Sequence, residues 1–212
     1  MHRRPCRVRV IALPLVASLA AILVSLFVTV AKADQVAFSN FDADLSFSDS
    51  GGVTLSGAFS PGYEFNSATS GSVDEIELAV SCDHNGGTFP FTLSLYADDG
   101  GILGSQLWTG SVTPVSFVMV SGNPDVVTGI TGANLTAGDN YWLVASASPG
   151  SGGEWNSNDI GDVGDTYDSG SYGPGTRGAF AVMTVPEPST AVLGIAGLVL
   201  LVGARSAARR FA

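Results

Sequence analysis

Between residues 34 and 185 the chain alternates apolar and polar positions with a period of two. Residues 73–80 read V-D-E-I-E-L-A-V, placing Ile76, Leu78 and Val80 on one face and Glu75 and Glu77 on the other. Residues 89–96 read F-P-F-T-L-S-L-Y, which sends Phe91, Leu93 and Leu95 to one side. The same pattern recurs at 53–59, 107–112, 115–120, 141–146 and 180–185. Successive side chains of a strand point to opposite faces, so this pattern predicts strands with one buried and one wet face. Between them lies turn chemistry: Asn85-Gly86-Gly87, Asp98-Asp99-Gly100-Gly101, Gly122-Asn123-Pro124 and Ala137-Gly138-Asp139-Asn140. No stretch of this region sustains a helical period. The predicted fold is all-β, an antiparallel β-sandwich of jelly-roll type.

The two ends depart from alternation. Residues 10–30 are almost unbroken apolar sequence behind four arginines, and Ala31-Lys32-Ala33 stands before Asp34. Small residues at Ala31 and Ala33 suit signal peptidase, which predicts a cleaved signal peptide over 1–33. The apolar stretch is long for such a signal, so an uncleaved membrane anchor is the alternative. At the other end, Val185-Pro186-Glu187-Pro188-Ser189-Thr190 leads into the apolar run 191–204, and Arg205, Arg209 and Arg210 follow. At about 1.5 Å per residue that run reaches only about 21 Å, a short transmembrane helix held by arginines on the cytoplasmic side. Proline lacks an N–H and disfavours helix at the residue before it, so the Pro186–Pro188 segment should be extended and open to a protease. The residues alone fit a membrane tail and a processing signal equally. The chain thus divides into a signal peptide (1–33), a β-sandwich domain (34–184) and a C-terminal segment (185–212).

Charge sharpens this division. Eight of the nine basic residues lie in the end segments, leaving Arg177 alone against 18 of the 19 acidic residues between 34 and 185, a formal charge of −17. A nucleic-acid partner held by phosphate neutralisation is excluded. About 150 residues remain for one domain with one core. Cys82 is the only cysteine after the signal segment, so no disulfide can form within the mature chain. One Cys and one His, His84, are too few for a zinc site of three or four ligands. Neighbouring strand residues diverge, so Cys82-Asp83-His84 reads as a polar hairpin end rather than a nucleophile with its base.

Two further features suggest chemistry. Asp159, Asp162, Asp165 and Asp168 recur every third residue in a Gly- and Asn-rich stretch. Calcium takes six to eight oxygen ligands on flexible backbone, which makes these four a candidate metal set. Their spacing follows neither the EF-hand nor the nonapeptide calcium repeat, and a solvated acidic loop is the plainer expectation. Trp155, after Gly152-Gly153-Glu154, is the candidate for stacking on a sugar ring, whereas Trp142 reads as core. No motif selects a carboxylate pair for glycoside hydrolysis. No catalytic residue and no resident cofactor are expected.

The C-terminal segment resembles a known signal. Val185-Pro186-Glu187-Pro188-Ser189-Thr190, a short apolar helix and a terminal arginine cluster stand in the order of the PEP-CTERM sorting signal. The resemblance implies processing at Pro186, Glu187 and Pro188 by exosortase, a membrane-embedded transpeptidase-like protease. It also implies a Gram-negative, exopolysaccharide-making, biofilm-forming host, and an exported protein held briefly at the inner membrane before reaching the cell surface or matrix. A weaker resemblance covers Leu93 to Gly104 and Leu135 to Val144, which look like strands of choice-of-anchor domains, where a Tyr-Trp pair (here Tyr141 and Trp142) enters the core. The expected role is structural or adhesive, associated with exopolysaccharide or an envelope acceptor. A carbohydrate-binding module, calcium-dependent or not, is the alternative.

Overall fold

A computed structural model of the chain describes residues 34–82, 89–114, 123–148 and 152–186. The predicted signal peptide with Ala31 and Ala33, the run 115–120, His84, Glu187, Pro188, the helix 191–204 and Arg205, Arg209 and Arg210 lie outside the described residues. Among the described residues no helix is long and apolar enough to cross a membrane.

The chain is all-β. Fourteen strands follow in order: β1 (Gln35–Ser39), β2 (Ser48–Leu55), β3 (Pro61–Asn66), β4 (Gly71–Leu78), β5 (Val80–Cys82), β6 (Phe91–Asp98), β7 (Leu103–Val112), β8 (Asp125–Thr128), β9 (Asn134–Leu135), β10 (Asn140–Ala147), β11 (Gly153–Ser157), β12 (Val163–Asp168), β13 (Ser171–Thr176) and β14 (Phe180–Val185). They belong to one unit, Asp34–Pro186. A six-stranded sheet has the order β13-β12-β3-β10-β6-β7, a five-stranded sheet β1-β14-β4-β8 with β9 beside β4, and a three-stranded sheet β2-β11-β5. Among the described residues the strand pairings in the three sheets are antiparallel.

The sheets pack as a sandwich. The six-stranded sheet contributes Tyr63, Phe65, Phe91, Leu93, Leu95, Tyr141, Leu143 and Ala145 to one shared core. The five-stranded sheet answers with Ala37, Val73, Ile76, Leu78, Phe180 and Val182, and the small sheet adds Leu55, Val80 and Trp155. Val73 and Ile76 differ in parity along β4 yet both are buried. A bulge opposite Met183/Thr184 takes up the extra residue and restores the inward face.

The apolar run 73–80 is divided rather than continuous. Ala79 separates β4 from β5, and the chain passes there from one sheet to the next. Ala79 N–H donates to the Ala179 carbonyl at 3.0 Å, while the Ala79 carbonyl accepts from Asn156 N–H at 2.8 Å. The small sheet is thereby stitched to the five-stranded one. The run 53–59 likewise ends early: β2 stops at Leu55, and Ser56 and Phe59 close a tight turn.

Candidate functional site

The acidic ladder does not assemble. In a strand, residues three apart face opposite ways, and Asp165 and Asp168 both lie in β12. Asp159 accepts from the Ser46 hydroxyl, a different partner from that of Asp162. Asp162 is taken by the domain's lone cation: Arg177 Nη1 donates to its Oδ1 at 3.0 Å and its Oδ2 at 3.1 Å. Around that pair, Asn158 Nδ2 donates to the Asp162 and Arg177 carbonyls, each at 2.8 Å, and Asn40 bridges the Gly178 carbonyl and Phe180 N–H. Among the described residues no three His, Cys, Asp or Glu side chains are placed to hold a metal ion. The expected solvated acidic loop is instead half strand and half a clamp centred on a guanidinium.

Trp155 corrects the sequence reading outright. It is 0 % exposed, edge-on to Tyr63 at 4.7 Å and to Phe180 at 5.9 Å, and its Nε1 donates to the Ala179 carbonyl at 3.1 Å. Its strand, β11, is the middle strand of the small sheet, so the ring points into the shared core. Gly178 makes room for it: a Cβ there would stand 2.6 Å from both Trp155 Cδ1 and Tyr63 Cε2.

Trp142 is buried, as expected, but not in the sandwich core. Period two sends Tyr141 inward and Trp142 to the opposite face of the six-stranded sheet, beside Glu64 on β3 and Tyr96 on β6. Its Nε1 donates to Asp98 Oδ1 at 2.8 Å. Asp98 also accepts from Gly100 N–H at 3.1 Å and Gly101 N–H at 3.0 Å, which folds the β6–β7 turn. Those two glycines have positive φ, a backbone that side chains resist.

A second row on that outer face reads Tyr172, Tyr167, Gly62, Val144, Ser94 and Thr109 from β13 to β7. Tyr172 packs edge-on against Trp142 at 5.6 Å and lies 5.1 Å from Tyr167. Its hydroxyl accepts from Leu103 N–H at 3.1 Å. Tyr172 and Leu103 belong to the two opposite edge strands, which in a flat sheet would be about 24 Å apart at about 4.8 Å per strand. A tyrosine side chain cannot span that gap. The sheet therefore curls, and its outer face becomes a trough.

The trough is aromatic and acidic. Glu64 and Asp165 share its face with the rings of Tyr96, Trp142, Tyr167 and Tyr172, and Asp98 reaches in from the end of β6. The Glu64 carboxyl is pushed above its ordinary range by burial, then by the charges of Asp98 and Asp165, against a hydrogen bond from Asn140. The Tyr167 phenol is raised by burial and by Tyr172. Asp98 also lines a recess of about 250 Å³ together with Ala97, Asp139, Asn140 and Tyr141. Sequence reasoning missed this surface because its members come from β3, β6, β10, β12 and β13. The one local signal was the symmetric T-Y-D-S-G-S-Y of residues 166–172, two tyrosines about a turn.

Residues 184–210 match the family described as PEP-CTERM protein-sorting motif. The chain carries an exosortase-sorting signal. It is an exosortase-targeted, secreted protein with a transient membrane-anchored sorting step. The PEP-CTERM match begins at Thr184, inside β14, so the sorting motif joins the last strand with no intervening linker. Thr184 is buried, and its hydroxyl meets that of Thr69 at 2.8 Å. Comparison with curated proteins returned no match.

Proposed function

We propose that this domain is a non-catalytic display module that exosortase delivers to the cell surface or extracellular matrix, where it has a structural or adhesive role associated with exopolysaccharide. One observation supports the reading above others. β1 and β14 are neighbours, with Gln35 opposite Thr184, so both ends of the domain leave from one edge. The first strand follows the predicted signal cleavage point, and the last leads into the sorting motif. A domain tethered through one edge can fold while still attached and present its remaining surface outward.

The order of events follows. The apolar run 191–204 holds the exported chain in the membrane with Arg205, Arg209 and Arg210 inside. The Pro186-Glu187-Pro188 segment is cut by exosortase, and the acidic domain passes to the envelope or matrix. Replacing Pro186, Glu187 and Pro188 by Ala should leave a membrane-bound form that keeps a tag placed after Ala212, and deleting the host exosortase should do the same. Loss of the tag at the normal rate in both backgrounds would sink the sorting step. Unchanged matrix cohesion in a strain lacking residues 34–186 would sink the structural role.

A further inference from the structure

We infer that the curled outer face of the six-stranded sheet binds a glycan bearing free amino groups, with Tyr167 and Tyr172 as the stacking ledge and Glu64 and Asp165 as the acceptors for its ammonium and hydroxyl groups. The inference deepens the surface-module reading by naming a ligand class, yet it concerns the folded domain and stands or falls separately from sorting.

Three observations carry it. First, the surface is shaped: the hydrogen bond from Leu103 N–H to the Tyr172 hydroxyl joins opposite edges of the sheet and makes a trough of it. Tyr172 covers the buried Trp142 and keeps its own ring exposed, a ledge rather than an enclosed pocket, which suits a polymer passing over it better than a compact small molecule. Second, the lining is ring plus carboxylate. Tyr172 is 41 % exposed, Tyr167 and Tyr96 are half-buried, and Asp165 is exposed beside them. The apolar face of a sugar ring stacks on such rings, and a cationic substituent over an aromatic face gains further attraction.

Third, charge selects among glycans. Residues 34–185 carry one Arg against 18 acids, and that Arg177 is committed to Asp162. An anionic polysaccharide would be repelled, and a neutral one would leave the carboxylates uncompensated. An ammonium-bearing one supplies the missing counter-charge through charge-assisted hydrogen bonds. Burial, and after it the nearby charges of Asp98 and Asp165, raise the Glu64 carboxyl, which places these carboxylates together on the one face.

The test titrates the full chain, purified in detergent at mildly acid pH, with a glucosamine hexasaccharide, its fully N-acetylated counterpart and hexalysine. Calorimetry reads affinity, and Trp142 emission reads the site, since Tyr172 packs on that indole. The glucosamine oligomer should bind, shift the emission and weaken with added salt. Tyr167→Ala should weaken it by about tenfold or more, whereas Tyr167→Phe, which keeps the ring and leaves the Tyr172–Leu103 bond intact, should bind nearly as wild type. A melting curve for each variant separates lost contact from lost fold. Equal binding of the N-acetylated oligomer would overturn the choice of an amino glycan. Hexalysine binding as tightly, with both tyrosine variants unaffected, would reduce the face to diffuse charge, and no binding by any probe would remove the site. None of these outcomes touches the tag-retention result.

Discussion

Glu64 shows how one residue reports its surroundings. Its carboxyl is half-buried under the trough's rings and faces Asp98 and Asp165. Its folded-state pKa is raised, so the native state holds the proton more tightly than the unfolded chain does. Ionisation therefore costs stability: the cost is absent below the unfolded carboxylate range and fully present above the raised folded value. Glu64→Gln keeps an oxygen for the Asn140 Nδ2 bond, 2.9 Å in the native protein, and removes the charge. The variant should melt higher than wild type at neutral pH, with the gap closing as the pH falls through the carboxylate range. A gap that stays constant from acid to neutral pH would contradict the account. Trp155 is the opposite case, a residue whose value is its volume. Trp155→Ala should cost about 3–5 kcal/mol in a denaturant titration, because the core of three sheets meets at that ring.

At the scale of elements, the segment from β11 to β14 is where acidic sequence becomes ordered structure. Asn158, Asp162 and Arg177 close the loop before β12 onto the chain after β13, and Arg177 also lies 5.9 Å from the centre of the Phe38 ring. The guanidinium supplies the positive charge that a metal would otherwise bring. Arg177→Met, which keeps the length of the chain but leaves the Asp162 carboxylate without its partner, should destabilise by about 1–3 kcal/mol. Millimolar calcium should leave the wild-type melting temperature unchanged, since a ligand raises it only by binding the native state. A rise in melting temperature abolished by Asp162→Asn would reinstate the metal reading.

For the whole molecule, closure depends on the last strand. β14 lies between β1 and β4, so the five-stranded sheet cannot be completed until the chain as far as Val185 is available. The sorting motif starts within that strand. Inserting a flexible Gly-Ser linker between Val185 and Pro186 should preserve the melting temperature, because pairing ends at Val185 opposite Ser72. Truncation before Phe180 should prevent folding, since it removes Phe180 and Val182 from the core. A truncated chain that still gave a cooperative melt with a β-rich circular dichroism spectrum would show that closure does not need β14. Stability without a disulfide is the matching expectation, and reductant should not shift the melt.

The alternation of Phe91, Leu93 and Leu95, and of Ile76 and Leu78, was enough to place β4 and β6, their buried faces and the sandwich, because period two is a local property of extended backbone. It did not pick out β1, β3, β8, β9, β11, β12 and β13. The sorting signal was legible for the same reason: its proline pair, apolar run and arginines are contiguous. What the sequence left open depended on partners distant along the chain. Whether Ala79 continued a strand or crossed between sheets was settled by Ala179 and Asn156. The aspartates every third residue looked convergent on paper, but β12 turned Asp165 and Asp168 to opposite faces and Arg177 claimed Asp162. Trp155 fills the core and Trp142 lies on the outer face of its sheet, because β11 turns Trp155 inward whereas β10 turns Tyr141 inward and Trp142 away. The trough itself exists only through curvature, which accumulates across six strands and is written in none of them.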